Sequence, residues 1–91
     1  MIKFSSCKPV GNLHLSLHFS DGTTGIWDAA PLLCSKDTPL TLPLRAPEAF
    51  ATAFIDDGAL AWPNGLELAP STLHAELKAA GLLKGQAARG L

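Results

Sequence analysis

Residues 13–28, LHLSLHFSDGTTGIWD, decide how this chain folds. Leu13, Leu15, Leu17 and Phe19 alternate with His14, Ser16 and His18, the period of two that marks a strand buried on one face only. Asp21-Gly22 then supplies a hairpin signal, because glycine enters positive φ without steric cost. The return strand runs from Thr23 to Asp28, and its register is open at this level. A two-residue type I′ loop sets Leu17 opposite Ile26, which joins the leucine face and turns Trp27 toward the histidines. A type I turn with a glycine bulge sets Leu15 opposite Trp27 instead.

Outward from this hairpin, Ile2 to Val10 reads as a preceding strand, with Val10-Gly11-Asn12 as the turn. Residues 29–46 hold three of the seven prolines. Pro31 opens a short helical turn carrying Leu32 and Leu33, and Ser35 to Ala46 reads as a loop pinned by Leu40, Leu42 and Leu44. A loop of about 12 residues is near the upper end for a compact domain and is a candidate for function. Pro47 and Glu48 suit the first turn of a helix, on which Phe50 and Phe54 share a face and which Asp56-Asp57-Gly58 stops. Ala59 to Trp62 is a short strand, WPNG (62–65) a type I turn with Gly65 at a bulge, and Leu66 to Leu68 the return. Pro70 opens a last helix with Leu73, Leu77 and Ala80 on one stripe and Gly81 just past its end. Residues 82–91 read as a frayed tail. The sum is a single α+β domain over residues 1–81. Its small, largely antiparallel sheet is built from two hairpins plus the N-terminal strand and covered by two short helices.

Composition excludes several function classes. Seven Lys and Arg against eight Asp and Glu leave a formal charge of −1, and the cations are scattered, which argues against direct nucleic-acid binding. The absence of tyrosine argues against a stacking platform for single strands. No apolar run approaches the length of a membrane span, and MIKFSSCKPV lacks the apolar core of a signal peptide. Cys7 and Cys34 stand apart with no CxxC pair, which suits reduced thiols and a cytoplasmic location.

No chemistry assembles from the remaining residues. His14 and His18 are four apart on a strand, roughly 13 Å, too far to share one ion at metal–nitrogen distances of about 2 Å. His74 reads as a helix-surface histidine. Asp56 and Asp57 are adjacent and suit turn chemistry rather than an acid–base pair facing each other across a substrate. There is no phosphate-binding glycine loop and no nucleophile elbow. The expectation is therefore no catalytic residue, no cofactor and no metal. Asp28, Arg45, Asn64 and Trp62 remain as a candidate functional surface. Asp28 also reads as a cap for the turn at Pro31, and Trp62 as bulk to be buried against Phe50 or Phe54.

Four segments, LHLSLHFSDGTTGIWDAAPLL, PLRAPEAFA, IDDGALAWPNGLELAP and STLHAEL, resemble the domain of unknown function 2442 family of small bacterial proteins. The resemblance implies an α+β fold like the N-terminal domain of certain helix-turn-helix proteins. It brings no catalytic residues. It also implies pairing with a small neighbouring protein in the manner of a toxin and its antitoxin. Relatives place an acidic residue before the proline of the last helix, where this chain has Ala69, and some continue into a helix-turn-helix domain beyond the point where this chain ends.

Two functions follow as expectations. The first is a small cytosolic interaction or regulatory module with a protein partner, antitoxin-like in role. The second is a small-molecule-binding or enzymatic domain with a pocket under the 35–46 loop. A homodimer is expected as well, through the sheet edge or the leucine-rich loop, because residues 40–44 and 82–83 are hard to bury within one short chain.

Overall fold

The computed structural model describes residues 2–35 and 37–85. In chain order the elements are β1 (Phe4–Pro9), β2 (His14–Phe19), β3 (Thr23–Asp28), α1 (Ala30–Ser35) and a 3₁₀ turn at Leu42–Arg45. They continue with α2 (Pro47–Phe50), β4 (Phe54–Asp56), β5 (Ala59–Ala61), β6 (Glu67–Leu68), α3 (Pro70–Ala79) and β7 (Lys84–Gly85). The α+β class holds, but the strands divide into two antiparallel sheets, ordered β1-β2-β3-β7 and β4-β5-β6. One hydrophobic core joins them, from Phe4, Leu15 and Leu17 through Trp27 and Leu33 to Leu60, Trp62 and Leu77.

The first hairpin takes the bulged register: Leu15 faces Trp27 and Leu17 faces Gly25. Gly22 N donates to Phe19 O at 3.0 Å, and Gly22 lies at φ +89°. Burial explains the choice. Trp27 is 3% exposed in the core while Ile26 is left 47% exposed; the other register exchanges them. An indole carries more apolar surface than an isoleucine, and each Å² removed from water is worth roughly 25 cal/mol. Gly25 then serves α3. A Cβ there would come within 3.0 Å of Leu77 Cδ1 and 3.2 Å of Leu82 O, so any side chain would push the end of α3 back from β3 by a few tenths of an ångström.

The helix expected to carry both Phe50 and Phe54 is a single turn. Phe50 is buried, whereas Phe54 is exposed on β4. Asp57 at φ +51° and Gly58 at φ +84° are the two central residues between Asp56 and Ala59, the positive-φ pair of a type I′ hairpin. Asp56-Asp57-Gly58 therefore joins two strands and stops no helix. The WPNG turn forms as expected, with Gly65 N donating to Trp62 O at 3.0 Å and Gly65 at φ +101°.

Of the three leucines expected to pin the 35–46 loop, only Leu44 is buried; Leu40 and Leu42 are exposed. Polar bonds do the pinning instead, with Arg45 Nε donating to Leu33 O at 2.7 Å and Asn64 Nδ2 to Leu40 O at 3.1 Å. On α3, Leu73 and Leu77 are buried but Ala80 is exposed. Ala69 offers no side-chain cap at its start. Its end closes with Gly81 N to Lys78 O at 3.1 Å and Leu82 N to Leu77 O at 2.9 Å, the paired bonds that satisfy terminal helix carbonyls. The chain then returns to the first sheet, where Lys84 and Gly85 pair with Thr24 and Thr23. Of the tail expected to fray over 82–91, residues 84–85 are thus paired in a sheet, and residues 86–91 lie outside the described residues.

Candidate functional site

Each of the four candidate side chains makes a bond inside the fold. Asp28 Oδ1 accepts from Ala30 N at 2.9 Å at the start of α1, and its carboxylate lies 3.9 Å from His14 Nε2. Arg45 holds the other end of that helix. Its Nε donates to Leu33 O at 2.7 Å, and its guanidinium pairs with Asp37 at 2.7 Å. Asn64 Nδ2 donates to Leu40 O at 3.1 Å while its Oδ1 accepts from Leu66 N at 3.2 Å, tying the WPNG turn to the long loop. Trp62 is buried, with Nε1 donating to Phe50 O at 2.9 Å and its ring centroid 5.7 Å from that of Phe50. It meets Phe50, one of its two expected partners; the other, Phe54, faces outward.

Two further links escaped sequence reasoning. Trp27 Nε1 donates to Glu76 Oε2 at 3.0 Å. His74 Nε2 lies 3.0 Å from Asp21 Oδ2 and stands edge-on to Phe19 at 4.9 Å. His74 is therefore a strut between α3 and the first hairpin rather than a free surface group. Partial burial pushes the Asp21 carboxyl up. Hydrogen bonds from the Thr23 hydroxyl and amide, with His74 behind them, outweigh it and hold the carboxyl below its ordinary value. Burial pushes the Cys7 thiol up, which disfavours the thiolate a nucleophile needs.

Two clefts lie on opposite faces of β3. On the outer face, Ser16, His18, Ile26, Leu82 and Lys84 line a shallow groove of about 290 Å³. On the core side, Trp27, Leu32, Leu73, Thr72, Asp28 and Glu76 line a cleft of about 330 Å³ between β3 and α3. Asp28 borders this second cleft without Arg45, Asn64 or Trp62. Neither of these two clefts brings the four candidates together, and neither has a described residue of the 35–46 loop in its lining. Among the described residues no group of three or more His, Cys, Asp or Glu could hold a metal ion. No described helix is long and apolar enough to cross a membrane.

No curated protein and no solved structure matches this chain. A family model does, under the description "Protein of unknown function (DUF2442)", over residues 5–79. Those residues take in the first hairpin, both small helices, the second sheet and α3 as far as its last residue. The chain belongs to the DUF2442 family.

Proposed function

We propose that this chain is a cytosolic protein-interaction module, antitoxin-like in role, that docks a small partner protein on the first sheet. One observation carries the reading. Among the described residues no helix covers the outer face of that sheet, and Ile26 and Leu82 stand 47% and 48% exposed within a single groove. Large apolar side chains left together at a surface mark interfaces more often than chemistry. The four polar and aromatic candidates, by contrast, are committed to bonds within the fold.

The test is recovery of the tagged full chain from its native host with neighbouring genes intact. The expected result is one small protein at equal stoichiometry, lost on Ile26→Lys. Recovery of the chain alone under several growth conditions overturns the reading. The same groove is available for self-association, for which light scattering at micromolar concentration is decisive. The homodimer has twice the 9.5 kDa chain mass, and a mass fixed at 9.5 kDa across dilution rules it out.

A further inference from the structure

The backbone alternation of the first sheet leaves one stretch of strand edge open. Ala29 N donates to Leu13 O at 2.9 Å, which places the odd-numbered residues of β3 toward β2. In an antiparallel ladder the main-chain groups of the intervening residues point the other way, so those of Ile26 and Asp28 face outward. On that side β7 pairs only with Thr23 and Thr24. Leu82 and Leu83, which lead into β7, lie against Gly25, and from Ile26 to Asp28 the edge has no strand partner among the described residues.

The two clefts lie immediately above and below this open stretch, and their charges are opposite. The outer groove is rimmed by Lys84 and His18, with no carboxylate among its described lining. The core-side cleft is rimmed by Asp28 and Glu76, with no cation among its described lining. Asp28 Oδ2 and Glu76 Oε1 accept no hydrogen bond among the described residues, while their sister oxygens are engaged.

From this geometry we infer that the open edge of β3 accepts an extended segment of the partner protein as an added strand. The inference rests on the interaction reading above and gives that reading its chemistry. Main-chain bonds to Ile26 and Asp28 hold the segment, and its successive side chains enter opposite clefts, as strand addition requires. Side chains on the outer face meet Ile26, Leu82, Lys84 and His18, and suit apolar and acidic residues. Side chains on the other face meet Trp27, Leu32 and Leu73 behind two carboxylates. They suit arginine or lysine, whose stem lies on apolar surface while the head reaches the acids. The fitting segment therefore alternates acidic or apolar residues with basic or apolar ones.

The probe is the peptide acetyl-VRELVRE-amide, titrated into the ¹⁵N-labelled full chain, with the all-acidic acetyl-VEELVEE-amide as comparator, which sets carboxylates against Asp28 and Glu76 in either one-residue register. The expected result is amide shifts centred on Ile26 and Asp28, with the all-acidic peptide about tenfold weaker or worse. Ile26→Pro removes the outward amide at an edge position that tolerates proline and is expected to weaken binding by about tenfold or more. If that variant fails to fold, ¹³C-labelled peptide on the native chain replaces it, with cross-strand contacts to the Ile26 and Asp28 backbone as the expected signal. No shift at about 2 mM peptide, equal binding of both peptides, unchanged binding by folded Ile26→Pro, or no cross-strand contact overturns the inference. So does a homodimer that Ile26→Pro dissolves and that excludes the peptide, because the edge is then taken by a second copy. Capture of a host protein that survives Ile26→Pro leaves the interaction reading standing and removes only the added strand.

Discussion

Asp21-Gly22 and Asp57-Gly58 are the same dipeptide, and they turn the chain in two different ways. In the first, only Gly22 has positive φ, and the turn is a bulged one closed by Gly22 N on Phe19 O. Asp21 keeps ordinary backbone angles and spends its carboxylate on Thr23 and His74. In the second, both residues have positive φ and two residues connect the strands directly. The local signal is equal, so something beyond the dipeptide selects the turn. For the first hairpin it is the strand that follows, where burying Trp27 demands the bulged register. The second hairpin has no such demand. Ile55 faces Leu60 across it, and the tight turn that matches strand twist is left to form.

The strongest way to break this comparison is to remove the indole that selects the register. Trp27→Ala is expected to lose about 3–5 kcal/mol in denaturant unfolding, most of what a domain of this size has. In any folded remainder, cross-strand contacts should show Ile26 moving inward. A loss below about 1 kcal/mol, with Leu15 still opposite residue 27, would mean that the turn fixes the register by itself.

Gly58→Ala tests the second turn at its most local point. A Cβ at φ +84° is strained, and it would approach Lys3 Cδ to 2.9 Å. The expected loss is about 1–2 kcal/mol, measured by the same unfolding assay. The Lys3 stem is flexible and yields part of the clash, so the conformational strain dominates. An unchanged midpoint would show that the turn had moved out of the type I′ form.

The smallest effect is the one that depends on pH. The folded-state pKa of Asp21 is depressed. Its stabilisation is therefore fully present above the unfolded carboxyl value of about 3.9. It is lost as pH falls through the lower folded-state value. Asp21→Asn should destabilise the chain by a constant amount at neutral pH, and the difference from the parent should vanish progressively below about pH 4. A gap that persists unchanged to acid pH would show that the amide loses something other than the charge-assisted bonds to Thr23 and His74.

The sequence was most legible where structure is local. Strict alternation over Leu13–Phe19 found β2, WPNG found its own bulged turn, and the pairing of Asp28 with Pro31 found a cap on α1. It misled where a short strand imitates a helix. Phe50 and Phe54 are four apart, yet three residues of β4 are too few to show a period of two, and the Asp-Gly beside them reads as a helix terminator. The second Asp-Gly was in fact a hairpin signal of the same kind as the first. Links across the chain left no trace at all: His74 to Asp21 spans 53 residues and Glu76 to Trp27 spans 49. The open edge of β3 belongs to the same class. It depends on where β7 begins, at Lys84 opposite Thr24, after the end of α3 has settled on Gly25.

The opposite border of the four-stranded sheet behaves differently. Val10 N donates to His14 O at 3.1 Å, so the intervening residues Cys7 and Pro9 of β1 point their main chain away from the sheet. Pro9 has no N–H to offer there, Lys8 beside it is exposed, and the Phe4 amide is already given to Gly58 O at 2.9 Å. Proline and lysine on a border strand discourage further pairing. A chain receptive on one side of this sheet and closed on the other has a valence of one. It can be capped, but it cannot be threaded head-to-tail through this sheet into a filament, which needs two receptive borders on every subunit.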